Sequence, residues 1–342
     1  MKILKGILSL IIIGGIVFAL YSLNFKDIGE GISEKLTVTP LKSEVQKNDE
    51  QVFFYDASSV LPDAPFYNNT AVSAPQKITG HWYDNMNERQ KQYYRLILAA
   101  FEDMSDSFFE VAKNDAEYKN NLSVAYNGVL ADNPEIFWQD NTYKLKLSDN
   151  SCLVKLGYCM DKSERDQKRE QLNERLAELL KPTEAMSDFE KEIFFFEFLC
   201  ENTDYCETEN TQKYTAYGAL CEGAAVCEGY SKAMQLLCKK SGIGCLLVRG
   251  VTGGRQHIWN LVQLSGCWYE LDITQSDRKD ASPNLFYFNA TTEEISLTHN
   301  RLPDVFLQPN GDFGSMFYNF NLPTCDAVIF SRDAAMYIGD NS

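Results

Sequence analysis

The chain has 342 residues, 44% hydrophobic and 13% aromatic, which is enough to bury a sizeable core and unlike a disordered or repeat protein. Its 32 basic and 48 acidic residues give a net charge of −16 with no Lys/Arg cluster, which argues against nucleic acid as a partner. Ten cysteines without a Cys-x-x-Cys pair, and only three histidines (His81, His257, His299), argue against a disulfide-stapled scaffold and against a Cys/His zinc site, so no metal and no cofactor is expected.

Lys2 and Lys5 precede an uncharged stretch from Gly6 to Phe25 that is closed by Lys26 and long enough to span a bilayer. No small-x-small cleavage site comes after it. Residues 1–25 therefore read as a signal anchor with the rest of the chain outside, or alternatively as a cleaved secretion signal; both readings export the remainder of the chain. Residues 26–80 carry Pro40, Pro62, Pro65 and Pro75 and one short apolar run, Val52 to Tyr55. They read as a stalk with one strand.

Residues 81–185 read as an α/β region. A helical pattern runs from a cap at Asn87 or Asp84 through Val111, and a second helix covers about 119–131. Asp132-Asn-Pro134 then breaks the helix before the aromatic edge Ile136-Phe-Trp138. Thr142–Leu147 and Cys152–Met160 form a predicted hairpin, and the charged helix Asp161–Lys181 stops at Pro182. Residues 186–325 make the next unit, opened by a capping box of Ser187 and Glu190 on a helix rich in phenylalanine through about Asn202. Residues 326–342 read as a tail without an evident terminating element.

Within the second unit, Cys227 stands where a glycine-containing loop enters a helix whose apolar positions Tyr230, Ala233, Met234, Leu237 and Cys238 keep helical spacing. The unpaired N–H groups and partial positive charge of a helix N-terminus favour a thiolate and a developing oxyanion. Lys239-Lys-Ser-Gly242 closes that helix, and strands come next at Gly244–Arg249, Gln256–Leu264 and Cys267–Ile273. A helix followed by adjacent strands predicts an α+β domain with the helix packed on an antiparallel sheet.

The two-residue turn Ser265-Gly266 sets the register of the last two strands. If Leu264 faces Cys267, Asp272 lies opposite Trp259, and His257 and Asp272 become diagonal neighbours on one face. Their Cβ atoms are then roughly 7–8 Å apart, a gap an imidazole and a carboxylate close with a hydrogen bond. A loop one residue longer or shorter would separate them. A thiol, an imidazole and an orienting carboxylate are the parts of nucleophilic acyl chemistry. Each residue alone also fits a plain structural role: a small buried cysteine, a satisfied strand histidine, a strand-end cap.

The run Ala216–Lys232 around Cys227, then His257-Ile-Trp-Asn260, then Trp268-Tyr-Glu-Leu-Asp272-Ile-Thr, resembles the bacterial branch of the transglutaminase-like superfamily. The resemblance is strong over about 216–275 and weaker over 85–300. It implies a papain-like core over 186–325 with a catalytic triad of Cys227, His257 and Asp272. The chain departs from such relatives at Gln275, where they usually carry Trp, and at Phe196-Glu197, where they often carry a His-Asp pair. Tyr217, Trp259, Asn260 and Gln275 are the further candidates for the oxyanion or substrate site.

The expected activity is a thioester-forming attack on amide bonds of proteins or peptides, ending in hydrolysis or in transfer to an amine. Two alternatives stand beside it. One is a surface-displayed binding module that keeps the fold without the chemistry; the other is a regulatory Cys221–Cys227 disulfide.

Overall fold

A computed structural model describes residues 54–55, 78–111, 118–147, 152–206, 211–278, 281–306, 316–317 and 319–330. The predicted membrane segment Gly6–Phe25 and most of the stalk lie outside these residues. No helix among the described residues is long and apolar enough to cross a membrane.

Helix α1 (Glu88–Asp103) starts where Asn87 and Gln90 cap one another: Gln90 N donates to Asn87 Oδ1 at 2.9 Å and Asn87 N to Gln90 Oε1 at 3.0 Å. It is shorter than the sequence pattern suggests. Met104 takes a left-handed conformation (φ 48°) that ends the helix, and the chain re-enters as strand β2 (Phe109–Val111). Phe109 and Val111 face inward and Glu110 outward, a period-2 pattern that the longer helical pattern concealed. Helix α2 (Tyr118–Asp132) packs on α1. A hairpin of β3 (Gln139–Leu147) and β4 (Cys152–Tyr158) joins β2 and the short β1 (Phe54–Tyr55) in a four-stranded sheet ordered β1-β3-β4-β2.

Helix α3 (Lys162–Leu180) and helix α4 (Asp188–Asn202) come next; Ser187 and Glu190 form the predicted capping box on α4. Helix α5 (Cys227–Lys240) then leads into β5 (Gly244–Thr252), β6 (Arg255–Leu264) and β7 (Cys267–Leu271). With β8 (His299–Arg301) these form a sheet ordered β8-β5-β6-β7, antiparallel throughout. Helix α5 packs on β5 and β6, the expected α+β layering.

One continuous buried cluster runs from Trp82 to Phe288, joining α1 and α2 to α4, α5 and the inner face of the second sheet. A smaller cluster covers the outer face, where Leu246, Val248, Trp259 and Leu261 meet Ala290, Ile295 and Cys325. Strand β6 is thus covered on both sides and is nearly all buried after Gln256. The segment after α2 ties the regions together. Asp132 accepts from Trp82 N and Tyr83 N at 3.1 and 2.9 Å, while Lys239 at the end of α5 donates to the Asp132 carbonyl at 2.8 Å and pairs with Glu135.

Candidate active site

Cys227 is the first residue of α5 and is half-buried. The preceding residue, Val226, supplies no side-chain cap. Nothing in the N-cap side chain therefore competes for the first-turn N–H groups, as a Ser or Asp there would. The loop before it is drawn tight: residues 218–222 form a π-turn, and a β-carbon on Gly229 would come within 2.5 Å of the Lys213 carbonyl. Glycine at 229 is what lets the start of α5 nest against that backbone. Ser231 Oγ donates to the Ile258 carbonyl at 3.1 Å, and Asn260 Nδ2 donates to the Ser231 carbonyl at 3.0 Å, so the first turns of α5 are fastened to β6.

The β6–β7 register is the one expected, with Leu264 opposite Cys267 and Asn260 opposite Leu271. Ser265 and Gly266 both have positive φ (49° and 81°), as a two-residue hairpin turn with the twist of its strands requires. Strand β7 ends one residue before Asp272, which instead caps the short turn Ile273–Ser276. From there its Oδ2 lies 2.6 Å from His257 Nε2. With Nε2 engaged, Nδ1 is the nitrogen left for the Cys227 thiol, which is near enough to raise the basicity of the ring.

The electrostatics follow from burial and pairing. Burial alone would lower the basicity of His257, but the bonds and charges of Asp272 and Cys227 outweigh it and leave the imidazole raised to about 9. Burial likewise opposes ionisation of Asp272, yet hydrogen bonds from His257, His299 and Thr274 hold its carboxyl well below the usual carboxylate range. Asp272 Oδ1 accepts from Thr274 Oγ1 at 2.7 Å and from Gln275 N at 3.2 Å. A second histidine, His299 of β8, reaches Oδ2 through Nε2 at 2.8 Å.

The remaining candidates separate. Gln275 is exposed beside Asp272 and fits a substrate-facing position. Tyr217 does not fit the oxyanion role expected of it, because its hydroxyl donates to Gln171 of α3 at 2.6 Å and its ring packs on Phe137. Trp259 is fully buried, donates from Nε1 to Glu270 at 2.7 Å, and cannot touch a substrate; it backs the His257 ring instead, 6.0 Å away and nearly parallel. Asn260 is 1% exposed and serves the α5–β6 junction, so it too is withdrawn from the substrate site. Cys221 and Cys227 are not joined to one another by a disulfide.

His257, Asp272 and His299 present ligand atoms within 4.8 Å of one another, a grouping with the chemistry to hold a metal ion. Their 2.6 and 2.8 Å separations are hydrogen-bond lengths, shorter than the roughly 3.3 Å that a tetrahedral ion with ~2.0 Å bonds leaves between ligands. His299 was not among the sequence candidates. Its only signal was being one of three histidines in the chain.

The described residues therefore form a mixed α/β fold with the buried His257–Asp272 pair beside the half-buried Cys227 at the start of α5. Residues 175–273, which contain all three, match the family model of the transglutaminase-like superfamily. Kyphoscoliosis peptidase of Mus musculus is 27% identical over 154 residues, covering 40% of this chain and 22% of the relative. The Homo sapiens protein of the same name is 26% identical over the same length, again covering 22% of the relative. The chain thus spans about a fifth of the length of these curated relatives. A solved structure of a TGase aligns over 42% of this chain and 46% of its own, at 12% identity and a TM-score of 0.30.

Proposed function

We propose that the chain is an exported thiol enzyme acting on amide bonds of proteins or peptides through Cys227, His257 and Asp272. The observation that carries this reading is the buried 2.6 Å pair of His257 and Asp272, with Cys227 at the start of α5 near enough to raise the basicity of the same imidazole. The match of residues 175–273 to the transglutaminase-like family model supports it, as does the word peptidase in the names of the mouse and human relatives.

In this reading Cys227 Sγ, its proton held by His257, attacks the carbonyl carbon. The Cys227 N–H at the uncapped start of α5 is a natural donor to the oxyanion. His257 then delivers its proton to the leaving nitrogen, the C–N bond breaks, and a thioester remains on Cys227. Water or an amine, deprotonated by His257, attacks the thioester and restores the thiol. Asp272 holds the ring and balances the imidazolium charge throughout. Gln275 lines the approach. In this reading the N-terminal segment 1–25 serves as an anchor or a removed signal that exports the domain.

A glutamine-containing protein incubated with the ectodomain and a fluorescent primary amine separates the two outcomes, incorporation marking acyl transfer and fragments marking hydrolysis. Cys227→Ala abolishes whichever is seen and removes iodoacetamide labelling at that position. A Cys227→Ala variant as active as the parent would remove the basis of the proposal and leave the binding-module reading.

A further inference from the structure

The Asp272 carboxylate is 1% exposed and takes two donors on each oxygen: Thr274 and Gln275 on Oδ1, His257 and His299 on Oδ2. The histidine pair is asymmetric. His257 also interacts with the Cys227 thiol, whereas His299 is enclosed, 2% exposed, with Nδ1 facing Thr298 Oγ1 at 2.8 Å. The His299 ring stands edge-on to Trp259 at 4.9 Å and packs on Tyr287 at 5.6 Å.

We propose that His299 is a positioning residue for the thiol chemistry, its Nε2–H fixing Asp272 Oδ2 in line with His257. This rests on the roles given above to Cys227, His257 and Asp272. A carboxylate turns easily about its last torsion, which is broad and roughly two-fold. Thr274 and Gln275 hold Oδ1, but with a single imidazole donor Oδ2 would still shift with His257 as that ring moves during proton transfer. A second donor on the same oxygen, itself held in place by two aromatic rings and a threonine hydroxyl, stops that movement. It also compensates the buried Oδ2, whose single donor would otherwise be the residue it must orient. The Thr298 hydroxyl can donate to Nδ1 of a neutral ring, which leaves the proton on Nε2 where Asp272 requires it.

The test compares His299→Leu and His299→Gln with His257→Ala as reference, all at temperatures below their measured unfolding transitions. In the Gln variant the amide Nε2–H stands where the imidazole Nε2–H stood. His299→Leu should lower kcat about 10- to 100-fold with KM changed less than about threefold, the range for losing one hydrogen bond to a charged group. It should also shift the pH profile of iodoacetamide alkylation at Cys227, while His299→Gln stays within about fivefold of the parent in kcat. If His299→Leu does not fold, His299→Asn replaces it, its amide being too short to reach Asp272.

Equal losses in the Leu and Gln variants would overturn the proposal in favour of packing. So would an unchanged rate and alkylation profile in His299→Leu beside a defective His257→Ala. An unchanged His257→Ala would instead strike at the underlying cysteine–histidine reading. Equimolar zinc in the isolated protein, absent from His299→Gln, would overturn the hydrogen-bond role and make the cluster a metal site.

Discussion

Replacing Glu192 by Gln should stabilise the protein at neutral pH. Glu192 lies on α4 and is fully buried, with Oε2 accepting from Asn289 Nδ2 at 2.9 Å and Oε1 lacking a partner. Burial, only partly offset by the Asn289 bond, pushes its carboxyl up from 4.5 to about 8. Between those values the folded chain keeps a proton that the unfolded chain releases, so stability falls as pH rises through this window and levels off above about 8. Each pH step inside the window costs about 1.4 kcal/mol, which accumulates to roughly 3 kcal/mol by pH 7.

Glutamine has the same shape, can still accept from Asn289, and cannot ionise. Glu192→Gln should therefore gain up to about 3 kcal/mol at pH 7 and nothing near the acid end of the window. Urea unfolding of both proteins across the window measures the difference, with the other carboxylates cancelling between them. Parallel stability curves, or a variant less stable than its parent at pH 7, would refute the reasoning.

Other outcomes concern the site and the sheet beneath it. Asp272→Asn should cost about 10²- to 10⁴-fold in kcat, as for other orienting carboxylates. It should also bring the His257 titration, followed by NMR, down from about 9 toward 6.5; a midpoint that stayed near 9 would show that Asp272 does not set it. In the parent, the stability that His257 contributes is complete below 6.5 and is lost as pH rises through about 9. Gly250→Ala should cost at least about 2 kcal/mol in thermal or urea unfolding, since its β-carbon would lie 2.3 Å from the Trp259 ring. One glycine inserted between Ser265 and Gly266 should abolish Cys227-dependent turnover while leaving helical circular dichroism near the parent's, because it moves Asp272 out of register with β6.

The turn at Ser265-Gly266 shows how much of this arrangement could be read in advance. It is a local signal, and it correctly set a register that brings residues 257 and 272 together. The α5 helix was equally legible, because its apolar spacing and closing lysines are local as well. What escaped depends on distant contacts. Tyr217 looked available until Gln171, 46 residues earlier, took its hydroxyl. Trp259 and Asn260 were candidates for the substrate site, but β6 is a central strand covered on both sides. Glu192 was hidden in a phenylalanine-rich helix whose one inward carboxylate meets Asn289 only in the fold. His299 sits 27 residues past Asp272 on the opposite edge strand of the sheet, where neither periodicity nor turn length points to it.

That edge strand bears on where a working fragment ends. The family match stops at residue 273, one residue past the carboxylate. The backbone of β7 and Asp272, however, is held from beyond that point: Asp272 N donates to the Tyr287 carbonyl at 2.9 Å, and Glu270 and Ala290 exchange N–H bonds at 2.8 and 2.9 Å. A recombinant piece cut at 273 would retain thiol, imidazole and carboxylate in sequence while leaving the carboxylate's strand an open edge. The smallest self-supporting unit therefore reaches at least to Arg301, where the guanidinium closes on Glu270.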